Sequence, residues 1–163
     1  MFRHLVNLLL LHAPPTRWFA LRGSLLRFAG INIAPTARMC GAGWIYGNGT
    51  VEIGANSWLS PGCKLYSHHL AAIEIGQDCD LGHEVSILTG SHCIGSSNRR
   101  AGEGLARPVR IGDGCWIGAR TLILGGSTIG PGTVVAAGSV VTGDLPSNIL
   151  AAGVPARVKR ELT

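Results

Sequence analysis

Aliphatic residues recur at every sixth position from Ile111 onward, as Ile117, Ile123, Ile129, Val135 and Val141. The position four residues after each aliphatic is small in the same stretch: Cys115, Thr121, Ser127, Thr133 and Ser139. The frame appears upstream as Ile53, Leu59 and Leu65 with Ser57 and Cys63, then as Ile75, Leu81 and Ile87 with Cys79, Val85 and Ser91. A helix repeats at about 3.6 residues and a half-buried strand at about 2, so neither gives this spacing. A coil with three flat sides does. Each hexad then forms a short strand and a turn, the aliphatic points into a prism, and the small residue fits near the corner. Stacked coils satisfy one another's backbone hydrogen bonds and continue a single core along an axis. Glycine follows the aliphatic at Gly54, Gly76, Gly82, Gly112, Gly118 and Gly130, where the chain bends.

The frame slips twice. Leu65 and Ile75 are ten apart, which places a four-residue excursion within Tyr66, Ser67, His68, His69 and Leu70. After Ser91 and His92, residues 93 to 110 restore the phase, but their hexads begin with Cys93, Arg99 and Leu105. Most of this stretch, about 93 to 108, reads as an extruded loop, with a degenerate extra coil as the alternative. Outside the prism, Phe2, Leu5, Val6, Leu9 and Leu10 fall on one face at helical spacing, and Pro14 and Pro15 close that segment. A second helix is expected from Arg17 to Phe28, ended by Gly30. At the other end Asp144, Leu145 and Pro146 break the repeat, and Ala156 to Leu162 is expected to form a short basic helix. The chain thus divides into amphipathic helices (1–30), the prism (31–146) and a terminal segment (147–163).

Charge changes this picture at one end only. Residues 1 to 51 carry Arg3, Arg17, Arg22, Arg27 and Arg38 and no acid, whereas residues 52 to 163 carry nine bases and nine acids. That balance, without a recognisable nucleic-acid module, argues against a nucleic-acid partner. An apolar face with arginine and no acid suits either packing on the first coils or a neighbouring subunit, or adhesion to a membrane surface. The five cysteines include no CxxC pair, which argues against a disulfide framework or zinc knuckle and points to a reducing cytoplasm. No apolar run reaches the ~18 residues of a spanning helix.

The segments ILTGSH (87–92), IGDGCWIGA (111–119), AAGSVVTGDLP (136–146) and AAGVPARVKREL (151–162), in this order, resemble the hexapeptide-repeat acyltransferases, closest to their sugar O-acetyltransferase branch. The resemblance covers roughly residues 50 to 163. It implies a mainly β fold, a left-handed parallel β-helix with short helices at the amino terminus and one at the carboxy terminus. It further implies a homotrimer whose active sites lie between prisms, acetyl-CoA as cosubstrate, no metal, and a sugar or glycan acceptor. His92 takes the place of the family's general base. Trp116, Ala119, Ala137 and Thr142 match donor-site positions, and Arg157 and Arg160 match basic residues that meet the nucleotide phosphates. Gly143 stands where the family usually has lysine. An acceptor-contacting asparagine of the family falls at or near Ser60, and Arg99 and Arg100 in the loop are candidate acceptor contacts. The basic amphipathic start favours a surface-polysaccharide or lipid-linked glycan at the inner face of the membrane.

Two other readings remain open at this stage. A γ-type carbonic anhydrase, also a left-handed β-helix, holds zinc through three histidines, and His69, His83 and His92 are the candidates; the closely spaced ligand pair expected there is missing. A non-catalytic prism used as a scaffold is the other. His68 has no role on sequence grounds, and Cys93 reads as incidental.

Overall fold

The computed structural model describes residues 2–163. Helix α1 (Phe2–Leu11) ends before the two prolines, and α2 (Phe19–Phe28) runs up to Ala29 and to Gly30, whose φ of +79° suits a residue without a Cβ. The first coil is β1 (Asn32–Ile33), β2 (Arg38–Met39) and β3 (Trp44–Gly47). The second is β4 (Val51–Ile53), β5 (Trp58–Leu59) and β6 (Lys64–Ser67), and the third is β7 (Ile73–Ile75), β8 (Asp80–Leu81) and β9 (Ser86–Leu88). A hairpin of β10 (Gly90–Ile94) and β11 (Ala101–Ala106) interrupts the winding. The fourth coil is β12 (Val109–Ile111), β13 (Trp116–Ile117) and β14 (Leu122–Leu124), and the fifth is β15 (Thr128–Ile129), β16 (Val134–Val135) and β17 (Val140–Val141). Strands β18 (Ile149–Ala152) and β19 (Arg157–Glu161) finish the chain.

Three sheets, parallel except at β19, form the sides. The first face stacks β1, β4, β7, β12 and β15; the second stacks β2, β5, β8, β13, β16, β18 and β19; the third stacks β3, β6, β9, β14 and β17. Their registers put like on like. Ile53, Ile75, Ile111 and Ile129 align on the first face, Leu59, Leu81, Ile117 and Val135 on the second, and Leu65, Ile87, Ile123 and Val141 on the third. All of them are buried, so the hexad frame is the core. Burying one such side chain contributes roughly 1.5–3 kcal/mol.

The small hexad residues sit inside the corners and bond to the neighbouring coil. Ser57 Oγ donates to the Gly76 carbonyl (2.7 Å) and accepts from Cys79 N–H (3.0 Å), while Cys79 and Cys115 donate to the carbonyls of Gly112 and Gly130. Buried polar atoms are thereby satisfied without water.

A stack of coils leaves an open edge at each end, which is a template for unwanted pairing unless covered. The helices cover the first. Val6 and Leu10 pack inward, and Asn7 extends the ladder of β3 with its own amide: Nδ2 donates to the Ile45 carbonyl (3.0 Å), and Ile45 N–H donates to Oδ1 (3.3 Å). Arg22 is buried and donates to the carbonyls of Arg17, Leu10, Ala13 and Pro14, which locks the turn between the helices. Packing on the first coil thus accounts for Val6 and Leu10 of the predicted face. Phe2, Leu5 and Leu9 stay exposed, because the helix meets the prism along a narrower strip than the sequence face suggests.

Two expectations change. The terminal segment is not a helix: β19 folds back antiparallel on β18, pairing Arg160 with Leu150 and Arg157 with Ala152. An unpaired strand at the end of the second face competes for the same backbone groups, and pairing there outweighs a helix of one or two turns. Residues 93 to 108 are extruded, as the loop reading expects, but as a paired hairpin. The degenerate coil is excluded, since β9 pairs directly with β14.

Candidate active site

His92 lies on β10, which leaves the prism at the corner between the third and first faces. The hairpin pairs Gly90 with Ala106, Ser91 with Leu105 and His92 with Gly104. Gly104 offers His92 no cross-strand side chain, and nothing lies within 4 Å of where its Cβ would be. The imidazole is therefore exposed on a two-stranded arm with open space across from it. Cys93 follows on the same strand and is also exposed, whereas the other four cysteines are buried. Arg99 and Arg100 sit at the far end of the hairpin, exposed, with Arg100 donating to the Gly95 carbonyl (3.3 Å).

A second constellation occupies the second face. The outward residues Arg38, Trp58, Asp80, Trp116, Val134, Leu150 and Arg160 form one row across successive strands. Trp58, Ser60, Asp80, Leu81, Gly82 and Trp116 line a groove of about 320 Å³. Trp116 is 59% exposed and forms one wall of it. At the adjoining corner with the third face, Gly138 N–H donates to the Ala119 carbonyl (2.8 Å), so Ala119 and Ala137 belong to stacked turns. The approach there is close: a Cβ on Gly118 would lie 2.4 Å from the Ala137 nitrogen. A narrow extended chain fits over such a wall of small residues and exposed backbone.

Charge gathers at the same corner. Arg120 and Glu84 pair at 2.6 Å, and the guanidinium holds the Glu84 carboxyl below the usual range. Lys64 lines the same hollow. Arg157 and Arg160 are exposed on β19, where Arg160 continues the row from Trp116 through Val134 and Leu150.

The structure brings some of the sequence candidates together and separates others. Trp116, Ala119, Ala137 and Arg160 share the second face and its corner. Ser60 joins them beside Trp116, away from His92. Thr142 follows β17, at the same corner as His92. Within one chain, Trp116 stands on the second face and His92 at the corner of the third and first faces. Of the three histidines of the zinc reading, His69 and His92 lie at the corner between the third and first faces, whereas His83 is in a turn between the second and third. Among the described residues no three His, Cys, Asp or Glu side chains gather to hold a metal ion.

Sequence reasoning missed two aromatic rows. Trp58 and Asp80 immediately precede the core residues Leu59 and Leu81, as Trp116 precedes Ile117, so the frame itself marks them as outward neighbours. Trp44, Tyr46 and Tyr66 flank Ile45 and Leu65 in the same way. Their rings stack on the third face, Trp44 on Tyr46 at 5.4 Å and Tyr46 on Tyr66 at 4.8 Å with 3° between planes.

Comparison with known proteins agrees with this architecture. Residues 108–143 match the family model described as bacterial transferase hexapeptide (six repeats). The chain is 35% identical over 117 residues to a galactoside O-acetyltransferase of Escherichia coli (strain K12), covering 72% of this chain and 56% of that protein. It is 38% identical over 118 residues to a putative acetyltransferase of Saccharomyces cerevisiae, covering 69% and 59%. The chain thus spans little more than half the length of these curated relatives. Among solved structures, a hexapeptide-repeat-containing acetyltransferase of Vibrio cholerae complexed with acetyl coenzyme A superposes with a TM-score of 0.79 at 28% identity, covering 99% of this chain and 85% of that one. A galactoside acetyltransferase in complex with coenzyme A gives 0.74 at 27% identity, covering 98% and 78%.

Proposed function

We infer that this chain, which belongs to the hexapeptide-repeat acyltransferase family, moves an acetyl group from acetyl-CoA to a sugar hydroxyl. The observation that carries the reading is an exposed imidazole on a two-stranded arm, with a tryptophan-walled groove and small-residue corner one prism face away. A sugar hydroxyl is a poor nucleophile at neutral pH. In the proposed reaction a ring nitrogen of His92 takes the hydroxyl proton as the oxygen attacks the thioester carbonyl carbon. The tetrahedral intermediate expels the CoA thiolate, which receives the proton from the imidazolium. A positioned base of this kind contributes about 10²- to 10⁴-fold.

The donor is proposed to run along the corner of Ala119 and Ala137, its pantetheine amides pairing with backbone groups and Trp116 walling the thioester end. Arg157 and Arg160 then meet the nucleotide phosphates, for which the planar guanidinium is suited. Thr142 and His92 share the other corner, so a complete site takes its donor wall from one copy and its base from another. This is the proposed homotrimer. Ser60, beside Trp116, is then an acceptor contact only across that junction, and Arg99 and Arg100 on the arm are contacts for an anionic carrier.

The relatives' names support a sugar acceptor in general. For the finer assignment, surface-polysaccharide or lipid-linked glycan at the inner face of a membrane, the support is the amino-terminal cap. Phe2, Leu5, Leu9 and Phe28 are exposed there, near Arg17 and Arg27, in a segment without acids. No helix of the described residues is long and apolar enough to cross a membrane.

The test is His92→Ala, with thiol release from acetyl-CoA as the assay and a panel of glycans as acceptors. Turnover should fall ~10²-fold or more with acetyl-CoA binding intact. Cys93→Ala should keep most activity. An active His92→Ala protein refutes the base assignment; an inactive, folded Cys93→Ala protein points instead to an acyl-cysteine route.

A further inference from the structure

We propose that the groove between Trp58 and Trp116 on the second face binds an organic ammonium group, a protonated or methylated amine seated over the Asp80 carboxylate. The site itself does not depend on the transferase reading; its use by an acceptor does. Register sets the spacing. Trp58 pairs with Asp80, and Asp80 with Trp116, across parallel strands, so the three side chains leave the face side by side. Neighbouring strands lie about 4.8 Å apart, which roots the two indoles roughly 9.6 Å from each other with the carboxylate midway. A ring attracts an ammonium within about 6 Å of its centroid. One placed over Asp80 is therefore in reach of both indoles and of the carboxylate at once.

Charge narrows the occupant. Among the described residues the ion pairs are Arg110 with Glu74 and Arg120 with Glu84, so the exposed Asp80 is left without a cation. The nearest cation in its row, Arg38, is two strands away beyond Trp58 and lies over the Phe19 ring at 5.4 Å. Phe19 also packs on Trp58, with centroids 5.4 Å apart, and steadies that indole. Two indole faces and a carboxylate all present negative potential, which repels an anion and selects a cation. A metal ion would find one carboxylate there and no further ligands, whereas an alkylammonium gains from the rings as well.

Shape gives the amine its seat. Ser60, Gly82 and Gly118 follow two residues behind Trp58, Asp80 and Trp116, on the same outward side of the chain. Ser60 N–H still donates to the Leu81 carbonyl (2.9 Å) and Gly82 N–H to the Ile117 carbonyl (2.7 Å), so the ladder continues through them. A row of large side chains thus stands beside a row of small ones, and the step between them is the groove of about 320 Å³. Its floor cannot rise at Gly82, where an added Cβ would lie 2.6 Å from the Ala119 nitrogen. The hollow has room for the amine and part of the molecule that carries it. Trp116 also walls the proposed thioester end, so under the transferase reading the carrier is the acceptor: its amine anchors it here while a hydroxyl elsewhere on it takes the acetyl group.

Four tryptophans make the test site-resolved. The full chain is labelled with nitrogen-15 at its indoles, and the four indole N–H signals are followed by NMR as choline is added without acetyl-CoA. The neutral molecule of the same shape, 3,3-dimethyl-1-butanol, is the control. Choline should shift Trp58 and Trp116 and leave Trp18 and Trp44 in place, and the alcohol should bind at least about tenfold more weakly. Asp80→Asn, a change of equal size at an exposed position, should weaken choline about tenfold. Shifts at all four indoles, no shift at any, equal binding of the alcohol, or binding indifferent to Asp80→Asn overturns the site. For the carrier, D-glucosamine and D-glucose are compared as acceptors by thiol release from acetyl-CoA. Asp80→Asn should raise the Michaelis constant of glucosamine several-fold and leave that of glucose unchanged; an equal effect on both overturns the acceptor assignment. Choline shifts that depend on Asp80, with no acetyl transfer to any acceptor, uphold the site and overturn the transferase reading instead.

Discussion

Alanine at three glycines separates two costs that a hexapeptide corner imposes. At Gly118 the added Cβ would lie 2.4 Å from the Ala137 nitrogen and 2.8 Å from the Ala136 carbonyl carbon and Ala137 Cα. These are backbone atoms, and ordinary contact begins near 3.4 Å, so the two turns must part by about 1 Å. The coils resist this through Gly118 N–H to Val135 (2.7 Å) and Gly138 N–H to Ala119 (2.8 Å). Overpacking of 1–3 kcal/mol and about 1 kcal/mol for a weakened hydrogen bond put Gly118→Ala near ~3 kcal/mol. Gly138 has open space around it but a φ of +70°, so Gly138→Ala should cost about 1–2 kcal/mol from backbone strain alone. Gly143 has neither constraint, and Gly143→Ala should stay within about 0.5 kcal/mol. Urea unfolding at one fixed protein concentration ranks the three. Gly118→Ala should also raise the Michaelis constant for acetyl-CoA, since its clash displaces the corner of Ala119 and Ala137. A Gly118→Ala protein as stable as Gly143→Ala would refute the close-approach argument.

Replacing Arg157 or Arg160 by alanine should raise the Michaelis constant for acetyl-CoA more than it lowers turnover, because phosphate contacts hold ground state and transition state alike; a pure turnover defect contradicts the donor assignment. In the native state at pH 8, iodoacetamide followed by mass spectrometry should label Cys93 alone. Cys40, Cys63, Cys79 and Cys115 are buried, which denies the reagent access until the chain unfolds, and burial also pushes the Cys40 thiol up and the Cys63 thiol up to about 12. Full-length protein should float with anionic vesicles in low salt, and Leu5→Asp with Leu9→Asp should not; equal flotation would assign those exposed residues to another partner.

The core was legible in the sequence because the inward positions answer to one rule, a large aliphatic every sixth residue, and the prism repeats that environment. Ser57, Cys79 and Cys115 were legible for the same reason. The terminal segment was not. Ala156 to Leu162 has a helix-compatible composition, and only the unpaired edge of β18, a tertiary feature, turns it into a strand. The amino-terminal face was half legible: helical spacing groups Phe2 and Leu5 with Val6 and Leu10, but the width of the first coil decides which of them are covered. His92 stood out through its segment, whereas the tyrosine stack depends on which residues lie 4.8 Å apart across coils twenty residues apart in sequence. Periodicity announces the rows, and only register shows where a row stops.

Alternation along each short strand also explains why the proposed site draws on more than one prism. Inward positions stack on their own kind and close the core, so every ligand-facing group must sit on an outward row of a convex surface. The Trp58, Asp80 and Trp116 row and the Tyr46 and Tyr66 row lie on different faces, and His92 stands at the far corner from Ala119. A convex face alone covers one side of an extended donor. In the proposed homotrimer a second prism supplies the other side and sets its His92 arm against the Trp116 groove. Three-fold closure would repeat this junction identically around the axis. Sedimentation equilibrium at micromolar concentration should therefore give three times the chain mass. His92→Ala mixed with Trp116→Ala should recover activity after subunit exchange, since some junctions then pair an intact base with an intact groove. A stable monomer that retains full turnover would overturn the shared site, and a trimer in which the two variants never complement would place base and groove within one chain.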